Sequence, residues 1–279
     1  MFDTARKKLT AHFGKYLLSW FTRDDADSDA PVTVMMPLAP KDAARARHAI
    51  PKIRANLAHP IERFLVVGPN RDDLPVLCAE MGVEFVDEMG PLAELLGADC
   101  ATTLEGWYKQ QFLKLISPAV ADADRVLTID SDTYPQRRTR FLDDAGRVLL
   151  YWAEQDPTDY HKFTELMIGP CPGARTSYIA HCMLFERRHL DALTVEIEAR
   201  HAKPWPVAML ETLRKGYQQA GQLSEFDLYG HFLRRDRPGK SRVRYYSNQK
   251  VSPAEFSGET RLDWWKRRFR FLSNHQHGE

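Results

Sequence analysis

The sequence of residues 125–135 is Arg125-Val-Leu-Thr-Ile-Asp130-Ser-Asp132-Thr-Tyr-Pro135. The apolar run from Val126 to Ile129 is typical of a short strand that is buried on both faces. The run stops at two aspartates one residue apart, and Pro135 prevents the strand from continuing. A buried strand that ends in two acidic side chains predicts an α/β domain with a site at the strand end.

Asp130 and Asp132 point to divalent metal chemistry. Side chains at i and i+2 of an extended chain lie on the same side, so both carboxylates can face one cation. Hard oxygen ligands suit Mg²⁺ or Mn²⁺, which keep open positions for the phosphates of a substrate. The alternative is a solvated strand-to-turn junction, because Asp and Ser are ordinary turn residues.

Composition excludes several classes of protein. The chain has 279 residues, enough for one large α/β domain or two small ones, and its formal net charge of +1 argues against a dedicated nucleic-acid binder. Its cysteines lack a Cys-x-x-Cys pairing and predict reduced, packed thiols in a cytoplasmic protein; they are Cys78, Cys100, Cys171 and Cys182. No apolar run approaches the ~18 residues of a membrane span.

Apolar strands alternate with helical patterns from residue 32 onward. This alternation predicts βαβ units and a mainly parallel sheet flanked by helices. The strands are predicted at Val32–Pro37, Arg63–Val67, Val83–Asp87 and Val126–Ile129. Ligands of such sheets bind at the carboxyl ends of the strands, so Pro37 and Asn70 are expected to share one rim with the two aspartates.

The two ends of the chain differ from this central unit, which we place at residues 31–250. Residues 1–30 predict a basic amphipathic helix and a polar linker, and residues 251–279 form a basic aromatic tail that contains Trp264, Trp265 and Phe271. Two interpretations of the first helix stay open: its apolar face docks on the core, or it binds a membrane surface at the inner face of the membrane.

The segment before the Asp130 strand reads Leu104-Glu-Gly-Trp107-Tyr-Lys-Gln110-Gln111-Phe-Leu-Lys114-Leu115. Its apolar positions fit a helix that packs under that strand. Gln111 and Lys114 share a face of this helix, and a lysine there can reach a diphosphate. A solvated lysine is the alternative.

A second cluster reads Ser224-Glu225-Phe226-Asp227-Leu228-Tyr229-Gly230. Ser224 is a good N-cap and Asp227 stands at its N3 position, so these residues have a structural explanation as a helix start. Glu225 adds a carboxylate that is able to act as a base on a hydroxyl or to hold sugar hydroxyls. We name Glu225, and more weakly Asp227, as catalytic candidates.

Together these motifs resemble a bacterial family of uncharacterised glycosyltransferase-like domains that is assigned the GT-A nucleotide-sugar fold, which is Rossmann-like. The resemblance covers roughly residues 32–244 and implies that Asp130 and Asp132 form a metal-binding Asp-x-Asp motif. Ser131 lies inside that motif and is included with the substrate-binding candidates. The family motif positions fall on Trp107, Gln110, Gln111, Lys114, His181, Ser224, Glu225, Asp227, Tyr229 and Gly230.

The sequence therefore predicts a GT-A-like glycosyltransferase, hexosyltransferase-like, with helical extensions at both ends. It would use Mn²⁺ or Mg²⁺ to move a sugar from a nucleoside diphosphate sugar to a carbohydrate or glycolipid acceptor; inversion or retention is left open. Two other classes remain: a Mg²⁺-dependent phosphohydrolase or nucleotidyltransferase, and a non-catalytic carbohydrate-binding scaffold.

Overall fold

The computed structural model describes residues 22–71, 73–154, 159–171, 176–214 and 222–274. The predicted first helix lies outside these residues. Strands in the described part of the chain are β1 (Val32–Pro37), β2 (Ile61–Gly68), β3 (Glu84–Asp87), β4 (Arg125–Ile129), β5 (Thr133–Pro135), β6 (Val148–Glu154), β7 (Thr176–Ser177), β8 (Cys182–Glu186), β9 (Ser241–Tyr245), β10 (Asn248–Lys250) and β11 (Phe271–Ser273).

Helices separate most of these strands along the chain, and short 3₁₀ turns occur at Pro40–Asp42, Pro238–Lys240 and Lys266–Arg268. The α-helices are α1 (Ala43–Asn56), α2 (Leu74–Met81), α3 (Met89–Leu96), α4 (Ala98–Thr103), α5 (Gly106–Leu115), α6 (Ser117–Val120), α7 (Asp159–Ile168), α8 (Arg187–His201), α9 (Trp205–Arg214), α10 (Glu225–Asp236) and α11 (Pro253–Ser257). None of these helices is long and apolar enough to cross a bilayer.

A five-stranded sheet in the order β3-β2-β1-β4-β8 forms the centre. All neighbouring pairs are parallel except β4 and β8, which run antiparallel. The apolar residues of β4 are 0–1% exposed, as expected for a strand covered by helices on both faces. The predicted α/β fold with a mainly parallel sheet is therefore confirmed.

The C-terminal segment differs from the predicted appended tail. β11 lies between β10 and β5 in a three-stranded sheet, and Phe271 is fully buried. Its partner β5 begins directly after Asp132, so the end of the chain packs beside the predicted metal site. Buried apolar surface in β11 explains why this segment belongs to the body of the domain.

The acidic segment before β1 is also more ordered than a linker. Asp25 accepts hydrogen bonds from Arg244 at 2.7 Å and from Arg270 at 2.9 Å, which ties the start of the described chain to β9 and to the residue before β11. Burial raises the pKa of Asp25, but the two arginines outweigh it and hold the pKa below its usual value. Residues 22–31 therefore belong structurally to the central unit.

Candidate active site

Asp130 and His181 face each other across the edge of two strands. Ile129 pairs with Cys182 in the antiparallel β4–β8 ladder, so the next residues along the two chains are Asp130 and His181. The Asp130 N–H donates to the His181 carbonyl at 2.9 Å. His181 adopts a φ of 55°, a left-handed conformation that is uncommon for a non-glycine residue.

Three side chains at this edge form a candidate metal centre. One ligand atom each of Asp130, Asp132 and His181 lies within 4.8 Å of the others, and the His181 Nδ1 is 3.1 Å from an Asp130 carboxylate oxygen. The Asp132 carbonyl accepts from the Asn274 N–H at 2.8 Å, which anchors the turn to the residue after β11. Two carboxylates and one imidazole are a donor set that fits a divalent cation.

Lys114 connects this centre to the second cluster. Its ammonium lies 2.6 Å from Asp130 Oδ1 and 2.8 Å from Glu225 Oε1, and the Lys114 and Glu225 side chains are only 3% and 1% exposed. The same ammonium stands 4.4 Å from the centre of the Phe226 ring. Lys114 is therefore a buried counterion of two carboxylates, not the solvated lysine of the alternative interpretation, and this placement does not favour direct contact with a diphosphate.

Burial and charge set the protonation of the network. Burial by itself lowers the pKa of Lys114, but Asp130 and Glu225 outweigh burial and raise it. Burial also raises the pKa of Asp130, yet Lys114 and His181 outweigh it and hold the pKa below its usual value. For Glu225, burial dominates over Lys114 and raises the pKa to about 7. Asp130 is thus the ionised ligand and Glu225 the carboxyl closest to neutrality.

Asp227 lies outside the metal centre. Its carboxylate accepts the Tyr178 N–H at 2.6 Å and the Ser177 hydroxyl at 3.2 Å, while its own N–H donates to the Ser224 hydroxyl at 3.3 Å. Ser224 is the N-cap of α10, as predicted. Through these contacts, Asp227 and Ser224 hold the start of α10 against β7. The structure therefore does not support a catalytic role for Asp227 or a substrate contact for Ser224.

Tyr229 and Gly230 are also buried in the packing around α10. Tyr229 is fully buried, and its hydroxyl accepts the N–H of Glu186, at the end of β8 remote from His181. A Cβ atom on Gly230 would lie 2.5 Å from the Tyr178 ring. The predicted substrate contact of Tyr229 does not fit this placement, whereas Gly230 is required for close packing.

The remaining predicted site residues of α5 differ in exposure. Trp107 lies seven residues before Lys114, which places it on the same helical face two turns away. Its ring is 6.3 Å from Tyr160 of α7, and both side chains are partly exposed. Gln110 is partly exposed, whereas Gln111 is buried and its amide lies 3.4 Å from the Trp107 carbonyl. Trp107 and Gln110 therefore remain candidates for substrate contact.

The predicted rim residues have different surroundings. Pro37 ends β1 and is buried, while Asn70 is exposed two residues after the end of β2. Both lie at carboxyl ends of strands, on the same edge of the sheet as Asp130, and Ser131 is buried within the turn between the two aspartates. Of these three residues, only Asn70 is exposed enough to contact a ligand at this rim.

Sequence reasoning missed two residues beside the site. Asp42 follows β1, and burial raises its pKa, with a smaller contribution from Asp132 and Asp130. Burial raises the pKa of Tyr160, and the negative charge of Glu225 raises it further. Asp42 ends the 3₁₀ turn that follows β1 and belongs to no motif of the sequence. Tyr160 gave no signal either, because its segment is far from the Asp-x-Asp motif in sequence.

Comparison with known proteins identifies the family. Residues 52–272 match the family described as a family of unknown function, DUF6492, so the chain belongs to that family. No curated protein matches the chain.

Several solved structures resemble the fold. Mouse xyloside xylosyltransferase 1 in its apo form gives a TM-score of 0.48 at 14% identity, over 88% of this chain and 98% of that one. An active-site mutant of LgtC gives 0.47 at 14% identity, over 89% of each chain. The galactosyltransferase LgtC in complex with donor and acceptor sugar analogs gives 0.44 at 15% identity, over 87% of each chain. At such values the similarity says nothing about substrate, so function has to come from the side chains of the site.

Proposed function

We propose that this member of the DUF6492 family is a metal-dependent glycosyltransferase that uses a nucleoside diphosphate sugar as donor. The observation that carries the proposal is the gathering of Asp130, Asp132 and His181 at the carboxyl end of a central parallel strand, next to the buried Lys114. Open α/β sheets bind their ligands at this edge.

Asp130, Asp132 and His181 would hold the cation. An imidazole nitrogen in the set favours Mn²⁺ over Mg²⁺, because Mg²⁺ prefers oxygen ligands in strict octahedral geometry. When bound there, the cation supplies Lewis-acid stabilisation of the charge that develops on the departing diphosphate. Two of these residues follow β4 directly, and the third lies opposite them just before β8.

Lys114 would act by positioning. Its ammonium fixes one oxygen of Asp130 at 2.6 Å and leaves the other oxygen, 3.1 Å from His181, on the side of the metal ligands. Glu225 Oε1 contacts the same ammonium at 2.8 Å. This arrangement supports a role for Glu225 in orienting Asp130, rather than the predicted role as a base that meets the acceptor hydroxyl.

The acceptor would lie toward Trp107 and Tyr160. Their rings are partly exposed and lie 6.3 Å apart, and ligand pockets commonly combine aromatic walls with a few polar groups. A sugar ring suits this surface because its C–H face packs on an aromatic ring while its hydroxyls reach polar side chains. The acceptor is thus proposed to be a carbohydrate or a glycolipid headgroup, and a cytoplasmic location remains a prediction.

The proposal is tested by incubating the purified chain with a panel of nucleoside diphosphate hexoses and Mn²⁺, with and without simple glycoside acceptors. Release of nucleoside diphosphate together with transferred or free sugar is expected. Asp132→Asn should abolish the release while the fold survives, because Asp132 lies in a partly exposed turn. Asp99→Asn, at an exposed position on α4, is the matched control and should retain activity.

Other products would point to another class. Nucleoside monophosphate and sugar phosphate would indicate a phosphohydrolase acting on the diphosphate, and sugar binding without any turnover would indicate a binding scaffold. Either result contradicts the proposed transfer.

A further inference from the structure

Two basic side chains follow β1 at the edge of the sheet that carries the metal centre. Lys41 lies in the 3₁₀ turn after β1, and Arg45 lies in the first turn of α1. β1 is the parallel neighbour of β4, so the segments that follow these two strands leave the sheet at the same edge. Lys41 and Arg45, which we call the rim cations, therefore stand on the β1 side of Asp130 and Asp132.

Asp42 connects the rim cations to the metal centre. Its carboxylate lies 2.6 Å from the Arg45 guanidinium, and the Asp42 and Arg45 side chains are 17% and 22% exposed. Burial raises the pKa of Asp42, and the charges of Arg45 and Lys41 oppose this effect. The charges of Asp132 and Asp130 act in the same direction as burial. These charged groups therefore lie close enough to influence one another.

The helix that carries Arg45 is fixed against the strand that leaves the metal centre. Asn56, at the end of α1, donates to the Pro135 carbonyl at 2.9 Å, and Pro135 ends β5, which begins directly after Asp132. The Asp42 N–H donates to the Ala39 carbonyl at 2.9 Å and closes the turn before the helix. α1 and the turn before it are therefore held in place beside the metal centre.

A diphosphate at this edge needs cations other than the metal and Lys114. The Lys114 ammonium is already paired with Asp130 and Glu225. Two carboxylates cancel the charge of a divalent cation, so the negative charge of bound phosphates would stay uncompensated. Within the described part of the chain, Lys41 has no carboxylate at ion-pair distance and Arg45 has only that of Asp42. Arg45 thus keeps most of its five N–H donors for another acceptor.

We propose that the rim cations bind the phosphates of the donor, with Arg45 as a bidentate contact and Lys41 as a point charge. The assignment rests on the proposed function, since it concerns the nucleoside diphosphate of that same site. Arginine binds phosphate through paired N–H groups, whereas a lysine ammonium acts as a compact charge. Asp42 is a positioning residue, because its carboxylate holds one end of the Arg45 guanidinium.

Calorimetry on the full chain with Mn²⁺ tests the proposal, and the probes are UDP, GDP and inorganic pyrophosphate. Arg45→Gln should weaken the binding of each probe by about tenfold, the contribution of one hydrogen bond to a charged group. Adding Lys41→Gln should weaken binding by about another threefold, the contribution of an exposed charge pair. Arg45→Lys keeps the charge but loses the bidentate geometry, so its affinity should lie between those of wild type and Arg45→Gln.

Arg47 and Lys52 provide matched controls on the same helix. Both side chains are exposed, and Arg47 is paired with Glu80 of α2. Arg47→Gln with Lys52→Gln removes the same charge as the double substitution of the rim cations. Its affinity for the probes should stay within about twofold of wild type at physiological salt, because charges more than about 8 Å apart are largely screened. All four substituted side chains are at least partly exposed, so melting curves should show that every variant folds.

Two outcomes would overturn the assignment of the rim cations. One is wild-type affinity of the Lys41→Gln, Arg45→Gln protein for all three probes. The other is a loss with UDP and GDP but not with pyrophosphate, which would place these side chains against the nucleoside. The proposed function is judged separately. If wild type binds no diphosphate with Mn²⁺, both proposals fail; if binding survives in the double variant but is lost in Asp132→Asn, only the rim cations are wrongly assigned.

Discussion

Lys114 lies between two carboxylates, and its own side chain is only 3% exposed. This position gives a first prediction. Removing one member of a buried ion network leaves unpaired charge, which typically costs 3–5 kcal/mol. Lys114→Met should therefore lower the free energy of unfolding by about 3–5 kcal/mol at neutral pH, measured by urea denaturation.

Lys109 provides a control on the same helix. Its ammonium is 3.9 Å from Glu88, at the limit of an ion pair, and Lys109→Met should cost no more than about 1 kcal/mol. Equal effects of the two substitutions would contradict the central place given to Lys114.

Glu225 offers a second test at the residue scale. If it orients Asp130 through Lys114, Glu225→Gln should weaken Mn²⁺ binding, and added Mn²⁺ should restore most of the turnover. If it is a general base, turnover should fall by roughly 10²–10⁴ even at saturating Mn²⁺. Steady-state rates over a Mn²⁺ titration distinguish the two roles, and we expect the first because Glu225 is 1% exposed.

Asp227 gives a third prediction, in which pH is the variable. Burial raises the pKa of Asp227 to about 6, above its unfolded value near 3.9. The folded state therefore binds the Asp227 proton more tightly than the unfolded state does. Protonated Asp227 stabilises the fold at low pH, and this contribution to the free energy of unfolding is lost as the pH rises from about 4 to about 6. Asp227→Asn removes this loss and should gain stability relative to wild type across that interval, by up to about 3 kcal/mol.

Urea denaturation at a series of pH values measures this difference. A constant difference between Asp227→Asn and wild type from pH 4 to pH 7 would refute the assignment.

Some residues of the candidate site could be predicted from the sequence, and others could not. Asp130 and Asp132 were visible because a buried apolar run ended on them. His181 was named only through the family resemblance, since its place opposite Asp130 depends on antiparallel pairing over fifty residues away. The burial of Lys114 was not predictable, because a helical pattern shows which residues share a face but not what covers them.

At the scale of single elements, the motif at residues 224–230 is explained by the packing of α10. Residues 225–233 of this helix are all buried, and Gly230 sits against the Tyr178 ring. Gly230→Ala would place a methyl group 2.5 Å from two ring atoms near the base of that side chain, where little movement is available. Overpacking of this kind should cost about 1–3 kcal/mol in unfolding free energy.

Gly90 is the matched control. It also lies in a helix, and a Cβ there would meet nothing within 4 Å. Gly90→Ala should leave stability unchanged or raise it by up to about 1 kcal/mol, because alanine is the better helix former. A stable Gly230→Ala protein would show that the Tyr178 ring can move, and would leave the glycine without a packing explanation.

Strands were predicted best where an apolar run had the length of a strand and was bounded by turn residues. β1, β2 and β4 are apolar runs flanked by turn residues, and each was located within a few residues. β8 begins only at Cys182, because the Tyr178 N–H donates to Asp227 and His181 adopts a left-handed conformation. β11 was missed, since three residues inside a basic aromatic segment give no strand pattern.

At the scale of the whole molecule, the sheet order explains how distant segments meet. β4 is flanked by β1 and by β8, so the segments after β1 and before β8 lie on either side of Asp130. β5 leads from Asp132 to Tyr134, which lines a cavity of about 500 Å³. One short strand therefore connects the candidate active site to that cavity.

The last prediction concerns coupling between metal and nucleotide in the intact chain. A cation held by Asp130, Asp132 and His181 would also contact a diphosphate, so each ligand should strengthen the binding of the other by the same factor. Coupling energies of this kind are typically about 1–3 kcal/mol, which corresponds to about 5- to 150-fold in affinity. Calorimetry should show UDP or GDP binding that weakens by at least about tenfold when EDTA removes the metal.

The reciprocal measurement makes the test strict. Mn²⁺ affinity should rise by the same factor when the nucleoside diphosphate is present, and Mn²⁺ should bind more tightly than Mg²⁺ because His181 contributes nitrogen. Asp132→Asn should abolish the coupling, since it removes one of the two carboxylates, whereas Asp99→Asn should preserve it. Nucleotide binding of equal strength with and without metal would disprove the shared site, even if both ligands bind the protein.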